Sequence, residues 1–164
     1  MRQSLVTENA LGMEKLNTTK SESAEKEKQK HSDIYINLPM PSERQEAWRY
    51  TSIDKFKIEN FAPFGDEAIL ESSNTDELME KGIILTGIND AFENHPELIK
   101  KYFSGIIKPD TDKLTAFNAS HWVNGIFLYV PKNIYIEVPI KINFSVNKKN
   151  SVIRNLIIAE SGSS

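Results

Sequence analysis

Hydrophobic positions follow two different periods along the chain, one on each side of Gly125. Before Gly125, apolar residues recur at helical spacing. The clearest example is the single helical face formed by Leu114, Phe117, His121 and Trp122. After Gly125, residues 126–130 are apolar on both faces, as in a buried strand. Apolar residues then alternate with polar ones, as they do in half-buried strands. The pattern therefore predicts helices first and short strands afterwards.

Residues typical of helix ends predict where most of the helices begin or end. Ser42 and Gln45 form a capping-box pattern, and Pro96 suits the first position of a helix that ends before Gly105. Gly82 is a plausible left-handed stop for the helix that precedes it. We predict helices beginning at Ser42, at Asn74 or Thr75, at Pro96 and at Asp110, and strands over 83–85, 126–130, 134–138, 140–144 and 152–159.

The N-terminal segment has the fewest apolar positions. Residues 17–33 hold one apolar residue, Ala24, among lysines and glutamates. We expect a segment of this kind to bury nothing, and we interpret it as a flexible linker or a loosely held helix. Order is predicted to begin at Ile34. The sequence thus predicts a polar flexible tail over 1–33, a helical N-terminal domain over 34–122 and a strand-rich part over 123–164.

Composition limits which binding partners and which cellular compartment we expect for this chain. The chain has 164 residues, a net charge of −3 and no cysteine. It therefore forms no disulfide and supplies no thiolate to zinc or to an iron–sulfur cluster. The mild acidity gives no electrostatic reason to expect nucleic acid or an anionic membrane as partner. No signal peptide or membrane-length apolar run is visible, and we expect a cytoplasmic location.

Catalytic signatures are missing from the sequence. No glycine-rich nucleotide loop, zinc-protease motif or serine-nucleophile motif occurs. Three histidines lie far apart, and we interpret each as structural or surface: His31, His95 and His121. A small basic cluster is assigned to a solvated turn: Lys148, Lys149 and Arg154. We predict no catalytic, cofactor-binding or metal-binding residue.

Three segments together resemble the SufB/SufD family of iron–sulfur cluster assembly proteins. Residues 38–53 combine Leu-Pro, a short polar stretch and Trp-Arg-Tyr-Thr. Residues 112–122 are similar to a family helix with Asp-Lys at its start and Trp at its end, and residues 125–133 share Gly-x-Phe-x-Tyr-Val-Pro-Lys. The resemblance runs from about 34 to 160 in the family's order, and its opening segment favours SufD over SufB.

This resemblance implies an α+β or mainly β fold, in which a helical domain leads into the first coils of a right-handed parallel β-helix. It also implies a non-catalytic scaffold subunit, of which we expect the chain to be an N-terminal fragment. SufB-like and SufC-like subunits are the implied partners, the latter an ATPase. The implied iron–sulfur cluster is assembled transiently on the whole complex and is not bound by this segment.

The residues that match the family pattern are assigned a structural role: Trp48, Arg49, Tyr50, Thr51, Asn118, Gly125, Tyr129 and Pro131. The family's cluster-related cysteine and histidine positions lie in a C-terminal half outside these residues, so no ligand residue is carried over. Two alternatives stay open. One is a SufB-like subunit that nucleates the cluster, and the other is an unrelated β-solenoid or lectin-like binding module.

Overall fold

The structure is a computed structural model that describes residues 13–16, 20–53, 55–58, 68–73, 75–146 and 151–164. Its helices are α1 Glu22–Asn37, α2 Thr75–Glu80, α3 Ile88–Asn94, α4 Pro96–Tyr102 and α5 Lys113–His121, with a short 3-10 helix at Glu46–Trp48. Its strands are β1 Met13–Lys15, β2 Ala68–Ser73, β3 Ile84–Gly87, β4 Ile126–Val130, β5 Ile142–Val146 and β6 Leu156–Ala159.

The strands form two three-stranded sheets. The first has the order β1-β2-β5, and both of its pairings are antiparallel. The second has the order β3-β4-β6, in which β4 runs antiparallel to β3 and parallel to β6. Two small sheets, one of them mixed, combined with five α-helices among the described residues, make the fold α+β.

The β-helix expectation is wrong for this structure. Among the described strands, β4 and β6 form the one parallel pair, extended by an isolated bridge between Asn124 and Ile153. Strand β5 does not join β4 and β6 but pairs with β2 in the first sheet. Strand β3, which comes from the helical part of the chain, pairs with β4. The alternating pattern reports which face of a strand is buried, but it does not report the strand's partner.

Helix α1 crosses the predicted boundary between residues 33 and 34. Ser21 caps it by accepting a hydrogen bond from the Ala24 amide at 2.9 Å, and Ala24 is fully buried. The expectation that this segment buries nothing is therefore wrong. A small alanine lets the helix approach its neighbours closely, while long polar side chains cover the core edge. The division of the chain into a tail over 1–33, a helical domain over 34–122 and the start of a further domain over 123–164 stays a prediction.

Two apolar clusters lie on opposite faces of the second sheet. Phe127 joins the cluster formed with the helices, whereas Ile126, Leu128 and Val130 join the other cluster. Strand β4 is therefore covered on both faces, which explains its unbroken apolar run. The sequence prediction of a buried strand over 126–130 is confirmed.

Other local predictions had mixed outcomes. Helix α4 begins at Pro96 as predicted, and Gly82 has a positive φ of 74° after α2. The helix expected from Ser42 is reduced to the 3-10 turn, although Ser42 N donates to Gln45 Oε1 at 3.3 Å. No described strand covers 134–141, where a strand was predicted over 134–138. No helix in the described part of the chain has the length and apolarity needed to cross a bilayer.

Candidate functional site

Helix α5 carries the first component of the candidate site. Asp112 caps the helix by accepting a hydrogen bond from the Thr115 amide at 2.7 Å. One and a half turns later, Asn118 donates from Nδ2 to the Ile153 carbonyl at 3.0 Å, and its Oδ1 accepts from Arg154 Nη1 at 3.0 Å. A single amide thus ties the helix to the chain segment that enters β6.

Arg154 is the charged centre of the site. Its Nη2 lies 3.4 Å from the Phe103 carbonyl, and its guanidinium lies 4.6 Å from the centre of the Phe103 ring. Burial lowers the pKa of Arg154, an effect that the charge of Glu27 opposes. No carboxylate in the described part of the chain forms an ion pair with it. The cation is therefore held by an amide, a carbonyl and a ring.

Gly125 lies directly against this segment. A Cβ at this position would be 1.8 Å from the Arg154 carbonyl oxygen, so no residue with a side chain fits without backbone movement. Beside it, the Asn124 carbonyl accepts from Arg154 N at 2.9 Å, and Asn155 Oδ1 accepts from Ile126 N at 3.0 Å. We call Asn118, Gly125, Arg154 and Asn155 the clasp, because together they join the helical part to β4 and β6.

The motif Trp48-Arg49-Tyr50-Thr51 is divided between the site and solvent. Trp48 is half-buried and lines a cavity of about 340 Å³ together with Asn118 and Arg154. Arg49 is exposed, 3.7 Å from a Glu46 carboxylate oxygen, and Tyr50 is 89% exposed. The exposed Thr51 donates its amide to the Trp48 carbonyl at 2.9 Å. Of this motif, Trp48 alone lines the cavity.

Tyr129 and Pro131 lie away from the clasp. Tyr129 is on β4, opposite Ile84 on one side and Ile158 on the other. Pro131 follows the end of β4, and a Cβ on Gly82 would lie 3.9 Å from its ring. The structural role predicted for all eight motif residues stays a prediction. Asn118 and Gly125 have the contacts that such a role requires.

A second cavity of about 300 Å³ adjoins the first and shares Ile107, Asn118 and Arg154 with it. Among its described lining residues, Arg154 alone carries a charge. Isoleucine side chains at its rim are open to solvent: Ile106, Ile107 and Ile157 are 72%, 58% and 58% exposed. A wide apolar cleft with one cation has the chemistry of a binding surface.

The described residues do not assemble a nucleophile with its base. Ser120 Oγ lies 2.7 Å from His121 Nδ1, but it also donates to the Ala116 carbonyl at 2.7 Å and is nearly buried within α5. Burial lowers the pKa of His121, and the nearby charge of Lys28 lowers it further. His95 stacks on Phe127 at 6.0 Å. In the described ranges no group of three histidine, aspartate or glutamate side chains could hold a metal ion.

Sequence reasoning missed Arg154 and Lys113. Arg154 was grouped with Lys148 and Lys149, which lie outside the described residues, and assigned to a solvated turn. Lys113 Nζ donates to the carbonyls of Tyr35 at 2.7 Å and Leu38 at 2.8 Å, so it caps the C-terminal end of α1 from a distant helix. The Asp-Lys pair at the start of the second family-like segment was the signal that could have identified it.

The described part of the chain is thus an α+β module whose candidate site is a binding cleft beside a backbone clasp. Residues 64–142 match the family profile described as SufBD protein N-terminal region. This match and the curated relatives support membership of the SufB/SufD family, and the matched region includes Asn118 and Gly125.

Similar curated proteins support this assignment. An "Iron-sulfur cluster assembly SufBD family protein" of Staphylococcus aureus strain USA300 is 41% identical over 90 residues, which are 54% of this chain and 19% of the relative. A protein with the same description from Staphylococcus saprophyticus is 40% identical over 90 residues, with the same coverage. The match therefore spans about a fifth of the length of these relatives, 19%.

Proposed function

We propose that the chain is the N-terminal part of a SufD-like scaffold subunit, which has no catalytic residue and acts in an iron–sulfur cluster assembly complex. The observation that carries the proposal is the match of residues 64–142 to the SufB/SufD N-terminal region. The clasp joins Asn118 and Gly125 of this region to the segment that holds Arg154, through amide, guanidinium and backbone contacts, which supports a role in holding surfaces in position. The family match argues against the alternative of an unrelated binding module.

The iron–sulfur cluster is the cargo of the proposed complex. Cluster irons are held mainly by cysteine thiolates, and this chain contains no cysteine. We propose that the cluster is assembled transiently on the whole complex, with thiolates from other segments or subunits. SufB-like and SufC-like subunits are the proposed partners, and the cytoplasm is the proposed location.

A SufB-like subunit is the second candidate, because the relatives are described as SufBD family proteins without a subtype. The segment 38–53 favours SufD, since its Glu-x-Trp-Arg-Tyr-Thr opening resembles the SufD pattern. A cluster-ligating cysteine encoded downstream in the same gene would favour SufB.

The proposal is tested by affinity purification under anaerobic conditions. The chromosomal gene is tagged at its 5′ end, and the bait and its partners are identified by mass spectrometry. We expect SufB-like and SufC-like proteins to be recovered with the bait. An identically tagged strain in which the gene for the SufC-like protein is deleted is the control. Recovery of the intact bait with neither partner would contradict the assignment.

A further inference from the structure

The surface beside the clasp carries bulky apolar residues that face solvent. Ile106 and Ile107 lie in the segment between α4 and α5, Ile157 lies on β6, and each of the three is more than half exposed. None of them belongs to either apolar cluster of the described core. A single exposed aliphatic residue is common, but these three line one cavity and form an apolar patch there. Patches of this kind mark interaction surfaces.

Arg154 lies where two cavities meet beneath this patch. The cavities have volumes of about 300 Å³ and about 340 Å³, and both are lined by Ile107, Asn118 and Arg154. The first is walled mainly by phenylalanine, isoleucine and leucine, and the second by Trp48 and Leu114 together with polar residues. The guanidinium therefore lies between two places that can each accept an apolar side chain.

The acceptors that hold the Arg154 guanidinium are neutral. Nη1 donates to Asn118 Oδ1 at 3.0 Å, and Nη2 donates to the Phe103 carbonyl at 3.4 Å. Neither acceptor balances the positive charge. A guanidinium presents its N–H groups as a planar fork that matches the two oxygens of a carboxylate. The described residues thus position this fork beside the cavities without supplying a carboxylate to it.

The carboxylates closest to this role have other partners. Glu27, whose charge acts on Arg154, lies 2.6 Å from Lys30 Nζ and 3.3 Å from His31 Nε2. Asp112 lines the second cavity, but its carboxylate caps α5 through the Thr115 amide. A cation that is partly removed from water gains most from a carboxylate at hydrogen-bond distance. The charge of Arg154 is therefore best matched by an acidic group from another molecule.

We propose that this cleft binds a segment of a partner protein in which an aspartate or glutamate lies between two apolar side chains. The carboxylate pairs with Arg154, and one apolar side chain enters each cavity. An arginine within an apolar patch is the composition typical of the centre of protein interfaces. The inference names a partner chemistry for the cleft and does not depend on the proposed scaffold role.

Other classes of ligand fit this cleft less well. A small molecule is usually enclosed on most sides by its site, whereas the isoleucines at this rim are more than half exposed. Nucleic acid binding requires several cations that neutralise phosphates. In the described lining of both cavities Arg154 is the one cation, and Asp112 adds a negative charge to the second.

The partner chemistry is tested with short random peptides displayed on phage and selected against the 164-residue chain. Clones that also bind the variant Ile107→Ser are removed, because Ile107 lines both cavities. We expect the remaining clones to carry aspartate or glutamate between apolar residues. Enrichment of clones without an acidic residue, or failure to obtain any clone that distinguishes the chain from the variant, would overturn the proposal.

The charge pairing is measured with a fluorescein-labelled copy of the best acidic peptide. A second copy has the amide isostere in place of the acidic residue. We expect the amide copy to bind the unaltered chain at least about tenfold more weakly. In Arg154→Gln the two copies should bind alike. Arg154 also belongs to the clasp, so this variant has a second reason to lose affinity. The comparison on the unaltered chain decides: equal affinity of the two copies there would overturn the proposal.

The apolar contribution is measured with a matched pair of isoleucine variants. Ile107→Ser removes a residue that lines both cavities, whereas Ile36→Ser removes an exposed isoleucine on α1 that lines neither. We expect Ile107→Ser to weaken binding of the acidic peptide at least about tenfold, and Ile36→Ser to change it less than about twofold. Equal effects of the two substitutions would place the peptide elsewhere and overturn the assignment of the cleft.

Two further measurements exclude other occupants. Sedimentation velocity reports self-association, and a dimer that Ile107→Ser abolishes would assign the cleft to a second copy of the chain. Binding of the acidic peptide is also measured with the protein expressed from the complete gene. Binding to the 164-residue chain alone would assign the cleft to another part of the same protein. Either result would overturn the proposed partner, and we expect a monomer and binding in both cases.

Discussion

Two contacts of α5 and its C-terminal cap differ in how far their buried polar groups find partners. At the clasp, Gly125 lets backbone meet backbone, and the Asn118 amide donates to one carbonyl and accepts from Arg154. Where α1 packs on the end of α5, Lys28 lies over the Trp122 ring, and Trp122 Nε1 has no hydrogen-bond partner among the described residues. The comparison indicates that burial alone does not make a contact strong. What matters is whether the groups brought together satisfy one another.

The largest expected effect is at Gly125. Replacement by alanine puts a Cβ 1.8 Å from the Arg154 carbonyl and forces the backbone apart. We expect Gly125→Ala to lower the free energy of unfolding by about 3 kcal/mol, measured by urea titration. Gly105→Ala is the control, because its Cβ would meet its nearest atom at an ordinary 3.6 Å. Equal stability of the two variants would contradict the claim that the close approach of the two backbone segments requires glycine at position 125.

The next effect concerns the Asn118 amide. Replacement by alanine leaves the Ile153 carbonyl and the Arg154 guanidinium each without one hydrogen bond. We expect Asn118→Ala to lower the free energy of unfolding by about 2 kcal/mol. Asn143→Ala, at an exposed position on β5, should change it by less than about 0.5 kcal/mol. A clasp variant no less stable than this control would mean that the bonds add nothing.

The contact between α1 and α5 should respond to pH where the clasp does not. Burial lowers the pKa of His121 in the folded state, so the free energy of unfolding is highest above the ordinary value of 6.5 and decreases as pH falls from 6.5 through the lower folded-state pKa. Burial would raise the pKa of Glu27, but hydrogen bonds from Lys30 and His31 outweigh it and lower the pKa. This second loss falls at lower pH, near the ordinary value of 4.5.

We therefore expect the free energy of unfolding to decrease between about pH 7.5 and about pH 5.5 through His121. In His121→Gln this decrease should be smaller, which urea titrations at both pH values measure. An identical pH dependence in the variant would rule out His121 as the cause.

The smallest effect is expected at Tyr50, which lies outside both contacts. Its side chain is 89% exposed, so Tyr50→Ala should change the free energy of unfolding by less than about 0.5 kcal/mol. Trp48→Ala, which empties one wall of the cavity beside the clasp, should cost more in the same thermal or urea assay. A large loss at Tyr50 would instead support the structural role that the motif predicts for it.

Local parts of the fold were predictable because their signals are local. Pro96 begins a helix, Gly82 adopts a positive φ, and the apolar run of β4 is buried on both faces. Strand partners were not predictable in this way. The β2–β5 pairing joins Glu71 to Asn143, and nothing in either strand specifies the other. The resemblance led to the family whose N-terminal profile residues 64–142 match, but the β-helix that it implied is wrong here.

The two contacts also differed in how far the sequence predicted them. Gly125 and Asn118 belong to motifs that can be recognised in the sequence, so part of the clasp could be predicted. Arg154 was assigned to solvent because its basic neighbours in sequence suggested a turn, whereas tertiary packing buries it against Phe103. Docking of α1 was missed because its inward face is polar, and a pattern-based prediction requires an apolar face.

The central position of β4 has a consequence for how the molecule forms during synthesis. Tyr129 lies opposite Ile84, made much earlier, and opposite Ile158, made later. After β4 has left the ribosome and before β6 has done so, one edge of this apolar strand has no strand to pair with. Such an edge is a template for pairing with another nascent chain. Slow translation between Val130 and Leu156 should therefore promote aggregation, and faster translation should relieve it.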